Sequence, residues 1–247
     1  MSLGYLMRLL KRDRPKLEKY ADSGLNRPYI GDKNSLEGLF WEHEGTIVHK
    51  WHHYLPIYEK FLGKYKNKPI KFLEIGVSRG GSLSLWRKYF GPDATIYGVD
   101  IDPRCKEYDG VDAQVRIGSQ DDANFMSGVV QEMGEVDIVL DDGSHVSKHI
   151  RSTFNTVFPL MNDGGVYIIE DLHATYWSKY GGGYQSSKSF MSDISQMYDD
   201  MHHWYHSYGQ KISSAKDKLM AIHLYDSIAV FEKNQIQVPR HSRIGIE

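Results

Sequence analysis

The residues whose types and spacing can do chemistry begin with Glu74, Gly76, Ser78, Gly80 and Ser82, followed by Asp100. Residues 71–75 are apolar and β-prone, residues 76–82 are rich in glycine and serine, and Leu83, Leu85 and Trp86 resume the apolar pattern. That reads as strand, tight turn, helix. A helix N-terminus behind such a turn points backbone N–H groups into a crevice, and the glycines let a ligand approach the backbone closely. The spacing is Glu-x-Gly-x-x-x-Gly. A carboxylate ahead of the first glycine would repel phosphate and suits an α-amino group or another cationic donor. Asp100 closes the next apolar run, where an acid takes the hydroxyls of a ribose.

A second constellation follows two later apolar runs: Asp141-Asp142-Gly143-Ser144-His145, then Glu170-Asp171-Leu172-His173. Adjacent strands of a parallel sheet end at one rim, so the two clusters should meet there. Converging carboxylates repel one another unless a cation neutralises them, and hard oxygen donors select Mg²⁺, Mn²⁺ or Ca²⁺. Taken alone, each cluster reads better as helix caps and a solvated acid; two clusters on neighbouring strands favour a metal.

A ligand with a ribose, a cationic end and no phosphate is S-adenosylmethionine, and the first constellation resembles the class I methyltransferase fold. With Asp-Asp-Gly-Ser-His after one strand and Ile-Glu-Asp-Leu-His after the next, the chain resembles the metal-dependent sugar O-methyltransferases. These act in macrolide and aminocoumarin biosynthesis, and the group includes rhamnosyl O-methyltransferases and cephalosporin-hydroxylase-like proteins. The resemblance runs from about Lys50 to Phe231, and Lys50-Trp51-His52-His53-Tyr54 is similar to the segment that precedes the glycine turn in that group.

The resemblance implies a divalent ion, Mg²⁺ or Mn²⁺, held by Asp142, Glu170 and Asp171. It places the donor around Glu74, Gly76, Ser78, Gly80, Ser82, Asp100 and Asp141. Ser119, Gln120 and Asp121, after the third strand, would read the adenine edge, with Asp122 as the alternative to Asp121. Tyr54, with His52 and His53, would line the donor's methionine end or the acceptor; packing within a helix is the competing role. His145 is the expected general base, because imidazole titrates near neutral pH; Asp142 is the alternative. His173 is a substrate neighbour or a surface residue. The implied partner is a small sugar or glycoside, and a homo-oligomer is compatible with the pattern. A catechol-type enzyme acting on an aromatic diol and a non-catalytic donor-binding subunit are the rival readings.

The elements that must position these groups alternate regularly. Strands are expected at 70–75, 94–100, 111–117, 136–140 and 165–169, with helices near 82–90, 121–132 and 147–160. A helix within 49–62 precedes them. This predicts an α/β, Rossmann-like, mostly parallel sheet with right-handed crossovers and helices on both faces. Residues 219–225 and 227–232 should form a terminal antiparallel hairpin. Ahead of this hairpin, 181–183 is a lid or a surface loop, and 190–208 has helical spacing with an aromatic face. Tyr176, Trp177, Tyr180 and Trp204 are candidate sugar-stacking residues.

The expected organisation is an extension or lid at 1–48, the methyltransferase domain at 49–233 and a tail at 234–247. The 247 residues suit one sizeable domain. A formal net charge of −2 argues against general nucleic-acid affinity. The lone Cys105 rules out an internal disulfide framework and suits a reducing cytoplasm. No stretch is apolar enough for a membrane span, and the basic start with Arg8, Lys11, Arg12 and Arg14 lacks the apolar core of a signal peptide.

Overall fold

β1 (Lys71–Ile75) is the hub of the sheet, pairing in parallel with β2 (Thr95–Asp100) on one side and β4 (Val136–Asp141) on the other. The computed structural model describes residues 17, 21, 29–207, 213 and 215–246. Arg8, Lys11, Arg12, Arg14 and Tyr208 lie outside the described residues. β3 (Gln114–Ile117), β5 (Met161–Ile169), β6 (Leu219–Leu224) and β7 (Ala229–Lys233) complete seven strands in the order β3-β2-β1-β4-β5-β7-β6. The first five run parallel, and β7 is antiparallel to both β5 and β6. The terminal hairpin thus inserts β7 beside β5 and leaves β6 at the edge.

Both faces of β1 are buried, so its sequence is apolar on both sides rather than alternating. Phe72 packs with Tyr58, Trp86 and Phe90 on one face. Leu73 packs with Tyr97, Met126, Phe154 and Tyr167 on the other. The first face is covered by α2 (Tyr54–Leu62) and α3 (Gly81–Phe90), the second by α4 (Ala123–Met133), α5 (Ser147–Val157) and α6 (Phe190–Met201); α1 (Leu36–Trp41) packs against α2. The Ser35 side chain caps α1 by accepting from the Gly38 N–H, and Asp122 caps α4 by accepting from Asn124 and Phe125.

Element boundaries differ from expectation where proline or a turn intervenes. The helix read within 49–62 begins only at Tyr54, which puts Pro56 in its first turn, the place where a missing N–H costs nothing. Residues 49–53 therefore approach the sheet without helical structure. α5 stops at Val157 and tightens into a 3₁₀ turn carrying Pro159. The third strand is shorter than 111–117, because Gly110 turns at φ +80° and Val111 is left exposed. The aromatic helix ends at Met201, with a 3₁₀ turn at His203–Tyr205. Among the described residues, no helix is long and apolar enough to cross a membrane.

Candidate functional site

The chain leaves β1 through Gly76 at φ +97°, and a Cβ there would stand 2.2 Å from the Asp142 carbonyl oxygen. The glycine turn and the end of β4 are therefore packed backbone against backbone. Gly76→Ala combines an unfavourable φ with a clash that no side chain can relieve. We expect it to lower unfolding free energy by roughly 3 kcal/mol or more in urea titration, with loss of ligand binding in the fraction that stays folded. Gly80, at φ +73°, starts α3 in the left-handed region and lies against the Tyr108 ring.

A cleft of about 730 Å³ opens where β1, β2, β4 and β5 end. Gly76, Ser78, Ser82, Asp100 and Ser119 line its one side. The Asp100 carboxylate accepts from the Ser78 N–H and the Asp102 N–H, both at 2.9 Å, which fixes its orientation. Beside it Ile101 leaves 72% of its surface exposed, and Ile47, also in the lining, leaves 66%. Two uncovered apolar side chains in one cleft suit a flat ring.

Several of the expected donor residues have their side chains engaged within the protein. Glu74 does not line the cleft: it is fully buried beneath the turn, accepting from Ser82 Oγ at 2.9 Å and Trp86 Nε1 at 3.1 Å. Burial pushes its carboxyl up to about 7. It holds the turn onto α3. Asp141 is likewise buried, bonded to Gln120, Tyr167 and the Gly143 N–H, and burial pushes it up to about 6. Gln120 borders the cleft, but its amide is spent inside the protein. It donates to Asp141 and Thr153 and accepts from the Ser144 N–H at 2.6 Å, bracing the loop that carries His145. Asp121 faces His149 and Lys148 at 3.5 and 3.7 Å outside the cleft lining. The alternative, Asp122, is occupied as the α4 cap.

The acid clusters do meet. β4 and β5 are parallel neighbours, with Asp141 opposite Ile169, so Asp142 and Glu170 emerge side by side. One oxygen each of Asp142 and Asp171 and one ring nitrogen of His145 all lie within 4.8 Å of one another. His145 Nε2 is 3.8 Å from Asp171 Oδ2. His145 and Asp171 both adopt positive φ, +57° and +55°, a conformation that costs roughly 1–3 kcal/mol per residue and gathers at functional sites. Tyr54 is buried and lies outside the cleft lining. Its hydroxyl is within 2.9 Å of Asp171 Oδ1 and 3.1 Å of the Ser227 carbonyl oxygen, and it accepts from the Asp171 N–H. Burial raises its pKa, and Asp171 adds to the rise. Tyr54 therefore holds Asp171 in place.

Glu170 stands apart from that trio. The buried Lys50 ammonium donates to Glu170 Oε1 at 2.7 Å and to Asp142 Oδ2 at 2.5 Å. Burial opposes the charge on Lys50, but Asp142 and Glu170 outweigh it and raise its pKa above the ordinary lysine value. Burial and the neighbouring Asp142 push the Glu170 carboxyl up, while Lys50 pulls it back. Two carboxylates and an imidazole within reach of one point, with a third carboxylate alongside, fit a hard divalent ion.

Lys50, His149 and Ile101 carry no role in the reading of the sequence. His149 lines the cleft and bonds through Nδ1 to Ser144 Oγ at 2.9 Å. Its only signal was a position one helical turn beyond His145. Lys50 lies 92 positions before Asp142 and 120 before Glu170, a distance that no local motif bridges. His173 lies 3.9 Å from Asp171 and packs on the Trp51 and Trp177 rings; burial lowers its pKa.

Comparison with known proteins agrees with this architecture. Residues 73–172 match a family model described as a methyltransferase domain. The chain is 37% identical over 201 residues to the 8-demethyl-8-(2-methoxy-alpha-L-rhamnosyl)-tetracenomycin-C 3'-O-methyltransferase of Streptomyces olivaceus, covering 75% of this chain and 50% of that one. It is 31% identical over 233 residues to the mycinamicin VI 2''-O-methyltransferase of Micromonospora griseorubida, covering 87% and 55%. Among solved structures, the MycE methyltransferase in complex with Mg, SAH and mycinamycin VI superposes with a TM-score of 0.73 at 30% identity, over 81% of this chain and 54% of that chain. This chain spans about half the length of these relatives. It belongs to the class I methyltransferases, and the relatives it resembles over most of its length are sugar O-methyltransferases.

Proposed function

We propose that this protein transfers the methyl group of S-adenosylmethionine to a hydroxyl of a sugar or glycosylated natural product, assisted by Mg²⁺ or Mn²⁺. The observation that carries the reading is the Asp142–His145–Asp171 trio standing on the same cleft as the Gly76 turn and Asp100. The relatives above are named as O-methyltransferases, one of them of a rhamnosyl compound, and the MycE structure holds Mg, SAH and mycinamycin VI.

The donor's ribose would bond to Asp100, its adenine would lie against Ile101, and its methionine end would follow the turn at 76–82. Asp142 and Asp171, with Glu170 beside them, would hold the ion. When bound, a divalent ion orients adjacent acceptor hydroxyls and lowers the pKa of the attacking one. His145, on the cleft wall, accepts that hydroxyl's proton as the oxygen attacks the methyl carbon. The new O–CH₃ bond forms as the S–CH₃ bond breaks, and the sulfonium's positive charge is discharged as neutral thioether. Holding both reactants in line supplies much of the acceleration.

The test is calorimetric S-adenosylhomocysteine binding with and without Mg²⁺, followed by turnover on a panel of glycosides. Micromolar product binding and Mg²⁺-dependent methylation of a glycoside are expected. Absence of product binding would remove the methyltransferase reading, and binding without turnover on any glycoside or diol would indicate a donor-binding subunit. Turnover confined to aromatic diols would indicate the catechol-type chemistry.

A further inference from the structure

Lys50 is the one cluster member that the proposed chemistry leaves without a task. Its side chain is 3% exposed, and its ammonium sits between Asp142 and Glu170 at 2.5 and 2.7 Å. The position is built. Lys50 lies in the non-helical approach just before α2, and Pro56 in that helix's first turn prevents the helix from starting further back. The chain therefore delivers Lys50 to the rim of β4 and β5 instead of displaying it on a helix surface. Asp142 is shared: the same carboxylate bonds Lys50 and belongs to the trio with His145 and Asp171.

We propose that Lys50 is a resident counter-cation of the acid cluster, holding Asp142 and Glu170 in place before a divalent ion arrives and weakening the ion's hold once it binds. This rests on the ion-assisted reading above. Asp142, Glu170 and Asp171 crowd one rim, with Glu74 buried nearby. Without an internal cation these acids would repel, and a buried charge left without its partner is strongly destabilising. With the ammonium in place, the cluster keeps its shape and carries less negative charge. An arriving ion then meets preset ligands but gains less attraction than from bare carboxylates. Such an arrangement favours an ion that comes and goes over one permanently locked in. Lys50 is thus a positioning residue: it acts through Asp142 and Glu170, beside which it borders the cleft.

The experiment compares wild type, Lys50→Met and Lys50→Arg by Mn²⁺ titration followed by electron paramagnetic resonance, and by thermal melting with and without Mn²⁺. Methionine keeps the length of the side chain and removes its charge. Lys50→Met is expected to bind Mn²⁺ at least tenfold more tightly than wild type. It should melt well below wild type in chelator and recover most of that loss at saturating Mn²⁺. Lys50→Arg, which restores the charge, should return both quantities toward wild type. Unchanged or weaker Mn²⁺ affinity in Lys50→Met would overturn the inference. So would a variant that stays unfolded at saturating Mn²⁺, because the side chain would then serve packing alone. A wild type that binds no Mn²⁺ at all would remove the ion-assisted reading itself, an outcome distinct from either.

Discussion

Asp142→Asn is expected to weaken divalent-ion binding at least about a hundredfold and to remove ion-dependent methyl transfer at millimolar Mg²⁺, while S-adenosylhomocysteine affinity stays within about threefold. Residues that merely orient a metal's ligands cost roughly 10–100-fold when changed, so a ligand itself should cost the top of that range or more. Asp142 is the carboxylate common to both arrangements of the cluster, the trio with His145 and Asp171 and the ion pair with Lys50. Asparagine keeps the shape and the backbone bond from the Asp142 N–H to the Ile75 carbonyl, so the close packing against Gly76 is preserved. Loss of charge is then the only large change. Mn²⁺ titration, product-binding calorimetry and rate measurement separate the effects. Wild-type ion affinity in this variant would displace the proposed centre from the β4–β5 rim.

His145→Ala is expected to lower the methyl-transfer rate by about 10²–10⁴-fold, the span over which a positioned acid or base ordinarily contributes. His145 stands on the cleft wall three positions beyond Asp142, with its Nε2 3.8 Å from Asp171 Oδ2. That geometry admits two roles, proton acceptor or ion ligand, and the variant separates them. A base removed from the site lowers the rate at saturating Mg²⁺ with ion affinity changed less than tenfold. A ligand removed from the site weakens Mn²⁺ binding in step with the rate, and excess ion then restores part of the activity. The His145 backbone, held at φ +57°, supports a functional assignment, because a histidine in that conformation costs free energy that the fold must offset. Alanine tolerates that φ no better, so any stability change reports the loss of side-chain contacts.

The internal partners of the expected site residues share one physical origin. Glu74 is expected at a ligand because a carboxylate ahead of a glycine turn suits a cationic group. In the folded chain, Ser82 and Trp86 of α3 turn back and take both of its oxygens. Gln120, expected at the adenine edge after the third strand, and Asp141, expected near the donor, bond to each other. Tyr54, expected at the donor's methionine end, at the acceptor or in helix packing, bonds Asp171 across 117 positions. A buried acceptor has to find a donor, and which donor it finds depends on what packs above it.

The sequence by itself determined the alternation of strands and helices, the glycine turn after β1, Asp100 closing β2, and the meeting of two acid clusters at one rim. Each follows from local periodicity, from turn chemistry, or from the rule that neighbouring parallel strands end together. Only the tertiary structure decided how the acids are divided: Glu170 and Asp142 to Lys50, Asp171 to Tyr54, and Asp142, Asp171 and His145 facing the cleft. The Lys50 and Tyr54 partnerships join residues about 90 to 120 positions apart, and charge compensation in a buried cluster depends on distance in space, which spacing along the chain does not encode.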